Sequence, residues 1–409
     1  MTISLPTRRP WTQRTLGTAL GALFVLLSLL PAPAGAVLTC FGRPATMFGT
    51  SESDSLQGTA GPDVILARKG DDVIEGLGGD DRICAGEGDD VVIGGDGNDR
   101  ISGAPGSDVE LDGGPGRDVV EGNGGSDLLI GMAGDDRLGG GRGVDTVTFF
   151  AAPASVLVDL ARGTAEGNGE DDLVAIENLH GSAFPDLLQG DAGRNRIVGA
   201  EGSDRIFGEE GPDVLRGMAD DDRISGSFGN DRLWGALGAD RMSGGGGVDI
   251  FRPDSDPDLP PSGQQGDDFV NGGGARDLLD LSASPDGVTV DLAVDSATGQ
   301  GTDVVKRLED VTGTPVPDTI AGDAGPNIFR GLQGDDTLDG RDGADTLLGG
   351  FARDLILGGA GDDGLWGKAG DDELTGSLGS DLFAGGPDDD TCDFDPAEDR
   401  SAIGCELAP

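Results

Sequence analysis

The sequence predicts an all-β fold made of turns and very short strands. Three observations carry that expectation. A nine-residue period holds one phase through most of the chain. Glycine is too dense for helix: 77 of 409 residues are Gly, and each costs about 1 kcal/mol in a helix interior. One large aliphatic recurs per period, enough for a thin apolar seam and no more. The period is plain in Gly76–Ser102, which reads in nines as GLGGDDRIC, AGEGDDVVI, GGDGNDRIS. Gly stands at places one and four, Asp at place six and the aliphatic at place eight.

In chain order, residues 1–36 come first. Arg8, Arg9 and Arg14 precede the apolar run Leu16–Leu30, and Ala34-Gly35-Ala36 closes it with small residues. This is the pattern of a secretory signal peptide cleaved after Ala36, and the run is too short to favour a membrane-spanning helix. Residues 37–148 hold a cap and a first array, with one extra residue placed at Asp112 and Glu110 where an aliphatic is due. Residues 149–180 form a spacer, and 181–252 a second array. Residues 253–280 combine a Pro-rich break (PDSDPDLPPS) with two further units. Residues 281–312 form a second spacer, 313–393 a third array, and 394–409 a C-terminal cap. The spacers copy each other: residues 140–195 align with 272–327, so that Val156–Leu160 (VLVDL) matches Val288–Leu292 (VTVDL) and Ile176–Leu179 (IENL) matches Leu308–Val311 (LEDV). Their alternating apolar residues predict half-buried strands. Four cysteines lie at the margins, and in an exported protein an even count reads as disulfides. Proximity favours Cys40–Cys84 and Cys392–Cys405.

The charge decides which partners are credible. A formal net charge of −48 repels nucleic acid and anionic membrane surfaces and points toward cations. If turns stack at strand spacing, about 4.8 Å, neighbouring place-six carboxylates repel by about 1 kcal/mol in water and more at lower dielectric. The seam alone is too thin to offset that repulsion and the ordering of nine backbones per unit. A cation between turns reverses the sign. The donors are carboxylates and backbone carbonyls freed by glycine turns, without an imidazole or thiolate set, and all-oxygen ligation on a flexible loop selects Ca²⁺.

Units such as GGDGNDRIS and GGPGRDVVE resemble the GGxGxDxUx nonapeptide of the repeats-in-toxin (RTX), or haemolysin-type calcium-binding, family, over nearly all of residues 49–393. The resemblance implies a right-handed parallel β-roll (β-solenoid), with two nonapeptides per turn, in three arrays separated by two short β spacers. It also implies many Ca²⁺ ions held between turns by place-six acids. The metal ligands it implies are Asp63, Asp72, Asp81, Asp90, Asp99, Asp118, Asp127 and Asp136 in the first array. In the second they are Asp204, Asp213, Asp222, Asp231 and Asp240, and in the third Asp336, Asp345, Asp354, Asp363, Asp372 and Asp381. Asn195 and Asn327, beside the spacers, depart from the pattern, as do Asp220 and Asp388 at place four. No catalytic constellation accompanies the repeats: the single histidine, His180, has no positioned nucleophile, and a zinc protease motif needs two. The expectation is a secreted, extracellular calcium-binding protein with a structural or interaction role, not an enzyme and not inserted in a membrane. The alternative is an extracellular adhesin or polysaccharide-binding module, with Phe207, Trp234 and Trp366 at place nine stacking on sugar rings.

Overall fold

The computed structural model describes residues 38–255, 266–299, 301–394 and 398–407. The expected signal peptide and its cleavage site, and most of the Pro-rich break, lie outside these residues. Residues Thr39–Pro409 form one compact unit.

Consecutive nonapeptides alternate between two parallel sheets, so two units complete one turn of a β-solenoid. In sheet one Val64 pairs with Arg82 and Arg82 with Arg100. In sheet two Val73 pairs with Val91. The place-eight side chains point inward from both sheets and stack in two columns, among them Ile65, Ile83 and Ile101 facing Ile74 and Val92, all fully buried. The strands are longer than the very short ones expected. Many run six residues, as in Val73–Gly78 and Arg82–Glu87, and cover places seven to nine and then one to three. They bend at place two, where non-glycine residues such as Leu77 (φ 77°) turn left-handed.

The extra residue of the first array is Val109, not Asp112. Asp90 and Asp108 keep the regular spacing, while Glu110 pairs with Val91 and Leu111 with Val92. Val109 is left as an exposed bulge, two residues facing one on the partner strand. A one-residue slip exchanges the two faces of a strand, and the bulge therefore lets Leu111, not Glu110, fill the buried seam position.

Neither spacer interrupts the solenoid. In sheet two, Thr146–Thr148 pairs with Asn178–His180, and that strand pairs with Arg196–Glu201. Leu278–Asp280 continues through Asp310–Thr312 to Ile328–Gln333 in the same way. Sheet one instead takes in an antiparallel meander. Leu157–Asp159, Thr164–Glu166 and Glu170–Val174 form the first, and Thr289–Asp291, Ser296–Thr298 and Thr302–Lys306 the second. Val158 and Val290, central in the two matching pentapeptides, are fully buried.

Both ends are stapled. Disulfides join Cys40 to Cys84 and Cys392 to Cys405. The first ties an N-terminal hairpin, in which Thr39–Cys40 pairs with Arg43–Pro44, to a sheet-one strand. The second sits where Ser401–Ile403 and Glu406–Leu407 carry the two sheets past the last repeat.

Candidate metal sites

The place-six aspartates are inside the solenoid. Asp72, Asp81, Asp90, Asp99, Asp118, Asp127, Asp136, Asp204, Asp213, Asp222, Asp231, Asp240, Asp336, Asp345, Asp354, Asp363, Asp372 and Asp381 are each at most 3% exposed. In every one, Oδ1 accepts a hydrogen bond from the backbone N–H of the place-six residue one turn earlier. Asp72 N–H donates to Asp90 Oδ1 at 2.8 Å, and Asp204 N–H donates to Asp222 Oδ1 at 2.8 Å. Within each array the carboxylates thus form two ladders, one for each sheet.

The second oxygen makes the chemistry. Oδ2 of each of these eighteen aspartates is buried and has no hydrogen-bond partner. Burying a carboxylate without a partner costs several kcal/mol, and the usual responses are protonation, pairing or metal ligation. Desolvation accordingly pushes these carboxyls up, and neighbouring acids add to the rise, against the opposing pull of the backbone N–H. Asp81 is pushed up to about 6, Asp108 to about 7, Asp336 to about 8 and Asp222 to about 9.

Space beside Oδ2 is supplied by a place-one glycine in sixteen of the eighteen units, while Asp72 and Asp90 have the buried Ala67 and Ala85 at that place. A Cβ on Gly76 would lie 2.5 Å from Asp81 Oδ2 and 2.3 Å from the carbonyl oxygen of Gly94. On Gly340 it would lie 2.4 Å from Asp345 Oδ2 and 2.6 Å from Gly358 O. Place-one glycines are absent from the positive-φ residues, so they are needed for room and not for backbone angle. Place four is where the angle matters: Gly97 has φ +142°, and a Cβ there would sit 1.9 Å from Gly79 O. Asp220 and Asp388 take place four with φ 75° and 87°, a conformation Asp tolerates better than most residues. Turns such as those of Gly76 and Gly340 therefore present a buried carboxylate oxygen and a backbone carbonyl to one cradle lined by glycine. That all-oxygen donor set fits Ca²⁺.

Asp63 behaves differently. It is half-buried, and its Oδ2 accepts from Thr59 N–H at 2.6 Å and from the Thr59 hydroxyl at 2.9 Å. The same device opens the other arrays: Ser182 donates to Asp186, and Thr314 to Asp318, through both N–H and O–H. Asn195 and Asn327 close their turns similarly. Asn195 Oδ1 accepts from Asp191 N–H, and its amide donates to Glu177 O; Asn327 does the same with Asp323 and Glu309. All five units lie in the first two of an array, as does that of Asp54, closed by Thr50 in the same way.

Several acids that the repeat pattern does not reach carry on the ladders. Asp171 accepts from Asp136 N–H and Glu177 from Asp145 N–H in the first spacer; Asp303 and Glu309 do so for Asp268 and Asp277 in the second. Asp399 accepts from Asp381 N–H after the last repeat. Glu177 and Glu309 occupy matching positions in the two spacer copies, a signal already present in the sequence.

The remaining candidates do not assemble a site. Trp234 is 7% exposed and packs under the guanidinium groups of Arg216 and Arg252. Trp366 lies against Gly364, and Phe207 faces Arg205. His180 sits edge-on to Phe150 with Nδ1 against Gly181 O, and burial lowers its basicity. Among the described residues no helix is long and apolar enough to cross a membrane.

The sequence matches the family described as RTX calcium-binding nonapeptide repeat (4 copies) at residues 48–83, 76–110, 112–147, 180–215, 216–251, 262–286, 312–347, 339–374 and 357–392. No curated protein matches the chain.

Proposed function

The chain belongs to the RTX calcium-binding nonapeptide repeat family, and on that premise we propose that it is a secreted protein whose solenoid folds when it meets extracellular calcium, in a structural or interaction role and without catalysis. The observation that carries this reading is the run of buried Oδ2 atoms without partners, most of them beside a glycine cradle that a single Cβ would fill. Bound Ca²⁺ supplies the positive charge that such a donor set lacks. The chain's own part is to hold each carboxylate by its Oδ1 so that Oδ2 stays directed at the cradle. Where calcium is scarce, unneutralised acids at strand spacing push the turns apart. At ten times the dissociation constant each filled site adds about 1.4 kcal/mol, and many sites sum to a stable fold. The basic, apolar and small-residue order of residues 1–36 supports export, and two disulfides fit an oxidising compartment.

Far-UV circular dichroism of the processed protein tests this. Coil in chelator, β structure on adding millimolar Ca²⁺, and little response to Mg²⁺ are expected. Identical spectra in chelator and calcium would refute it.

A further inference from the structure

One group of acids stands outside the repeat scheme. The second array ends at Phe251–Pro253, where Pro253 takes the place-one position. Its carbonyl lies 2.7 Å from a Cβ built on Gly235, much as Gly94 O does for Gly76. Asp254 follows directly on Pro253, Asp268 is the place-six acid of the next unit, and Asp303 lies in the last strand of the second meander. One carboxylate oxygen from each lies within 4.8 Å of the other two. Ligands of one Ca²⁺ ion, at 2.3–2.6 Å, stand at most about 5 Å apart, so the spacing suits a shared cation.

A second observation points to a ligand. Asp268 is 2% exposed, yet its Oδ2 has no hydrogen-bond partner, and Asp254 Oδ1 is buried and unpartnered as well. Arg252, two residues before Asp254, bonds Asp280 through Nε at 2.9 Å, and Lys306, three residues after Asp303, pairs with Asp295 at 3.5 Å. The first spacer provides a comparison inside the same molecule. Asp136 and Asp171 stand where Asp268 and Asp303 do, with the same N–H to Oδ1 bond. Among the described residues no third acid completes that pair.

We propose that Asp254, Asp268 and Asp303 form a separate three-carboxylate site for a divalent cation, which fastens the root of the Pro-rich break to the second spacer and holds its ion more tightly than the repeat cradles do. The added carboxylate raises local negative charge at short range, where Coulomb attraction is strongest. The site therefore fills first and empties last. It rests on the calcium reading above only in that Asp268 is itself a repeat acid.

The test loads the full processed protein with Ca²⁺, lowers free Ca²⁺ stepwise with chelator buffers, and counts bound ions by elemental mass spectrometry. The wild type should keep one ion per chain at a free Ca²⁺ about tenfold or more below the level that empties the repeats. Asp254→Asn, which leaves every ladder hydrogen bond in place, should lose that last ion and release the others as the wild type does. Asp171→Asn in the first spacer should leave it bound. Circular dichroism of each loaded variant checks folding, and Asp303→Asn, which keeps Oδ1 as an acceptor, repeats the test independently of Asp254. Release curves that coincide for wild type, Asp254→Asn and Asp303→Asn would overturn the proposal while leaving the repeat sites standing. A wild type that binds no calcium at any level would overturn both.

Discussion

The units that open each array and the units inside it carry the same acid at the same phase, and the structure gives that acid two fates. In Gly58–Leu66 the carboxylate of Asp63 is closed by Thr59. One unit pair later, Asp81 is fully inside, bound through Oδ1, and left with an open Oδ2 beside Gly76. The difference lies at place two. Where the backbone at place two is not left-handed, as at Thr59, Ser182 and Thr314, a hydroxyl folds back onto the carboxylate as in a local side-chain turn. Interior place-two residues such as Leu77, and even Ser227 and Ser377, turn left-handed and leave Oδ2 open. At array starts Oδ2 is therefore already hydrogen-bonded, and in interiors it is not. An array start lacks a preceding nonapeptide turn with which to share an ion, and a self-contained turn is the solution repeated at Thr59, Ser182 and Thr314.

The largest test of this contrast is acid in the absence of calcium. The interior carboxyls rise from an ordinary 3.8 to about 6 at Asp81, about 7 at Asp108 and about 9 at Asp222. A raised folded-state value means that the metal-free fold holds protons the unfolded chain has released. That stabilisation is complete below the unfolded value and is lost as pH rises through the folded ones. In chelator, β signal should grow as pH is lowered from about 8 toward about 4. With calcium present the proton is a competitor, and calcium affinity should fall as pH drops over the same range. A chelated protein equally unfolded at both pH values would break the link between burial and cation demand.

A smaller effect separates glycines of the two regions at place four. Gly97→Ala, at φ +142° with Gly79 O at 1.9 Å from the new Cβ, should cost about 3 kcal/mol or more. Gly61→Ala, in an array-start turn where nothing lies within 4 Å, should stay within about 0.5 kcal/mol. Thermal denaturation in calcium reads both. Equal shifts would show that turns at the start and in the interior are packed alike.

The smallest change should convert one region into the other. Thr314→Gly removes the hydroxyl that meets Asp318 at 2.9 Å and should destabilise the chelated, acid-folded protein by about 1 kcal/mol. In millimolar calcium the same variant should bind one ion more than the wild type. An unchanged ion count would show that the hydroxyl is not what keeps a cation away.

Much of the contrast between array starts and interiors is legible in the amino-acid sequence. Period, phase and seam follow from glycine, Asp and aliphatic recurrence, because each unit meets the same neighbours and must solve the same problem. The matching spacers announce strands at Val158 and Val290. What the sequence conceals depends on register between turns. Periodicity places an acid at Asp63 and at Asp81 alike, and cannot tell which carboxylate oxygen is already engaged. Counting in nines puts the extra residue at Asp112 and not at Val109, because Leu111 and Glu110 compete for one inward position and only burial decides between them. Asp171, Glu177, Asp303 and Glu309 fall out of phase in sequence, yet the meanders bring them back into the ladder. Asp254 carries no signal of its own, since its partners lie across a break and a meander.

The most direct measurement is a crystal structure of the calcium-loaded protein with anomalous diffraction to locate the ions. Density for calcium should appear against Oδ2 of interior acids such as Asp81, Asp222 and Asp345, and not against Asp63, Asp186 or Asp318. Interior Oδ2 atoms bonded only to water or sharing protons, or ions distributed over both kinds of unit, would contradict the account.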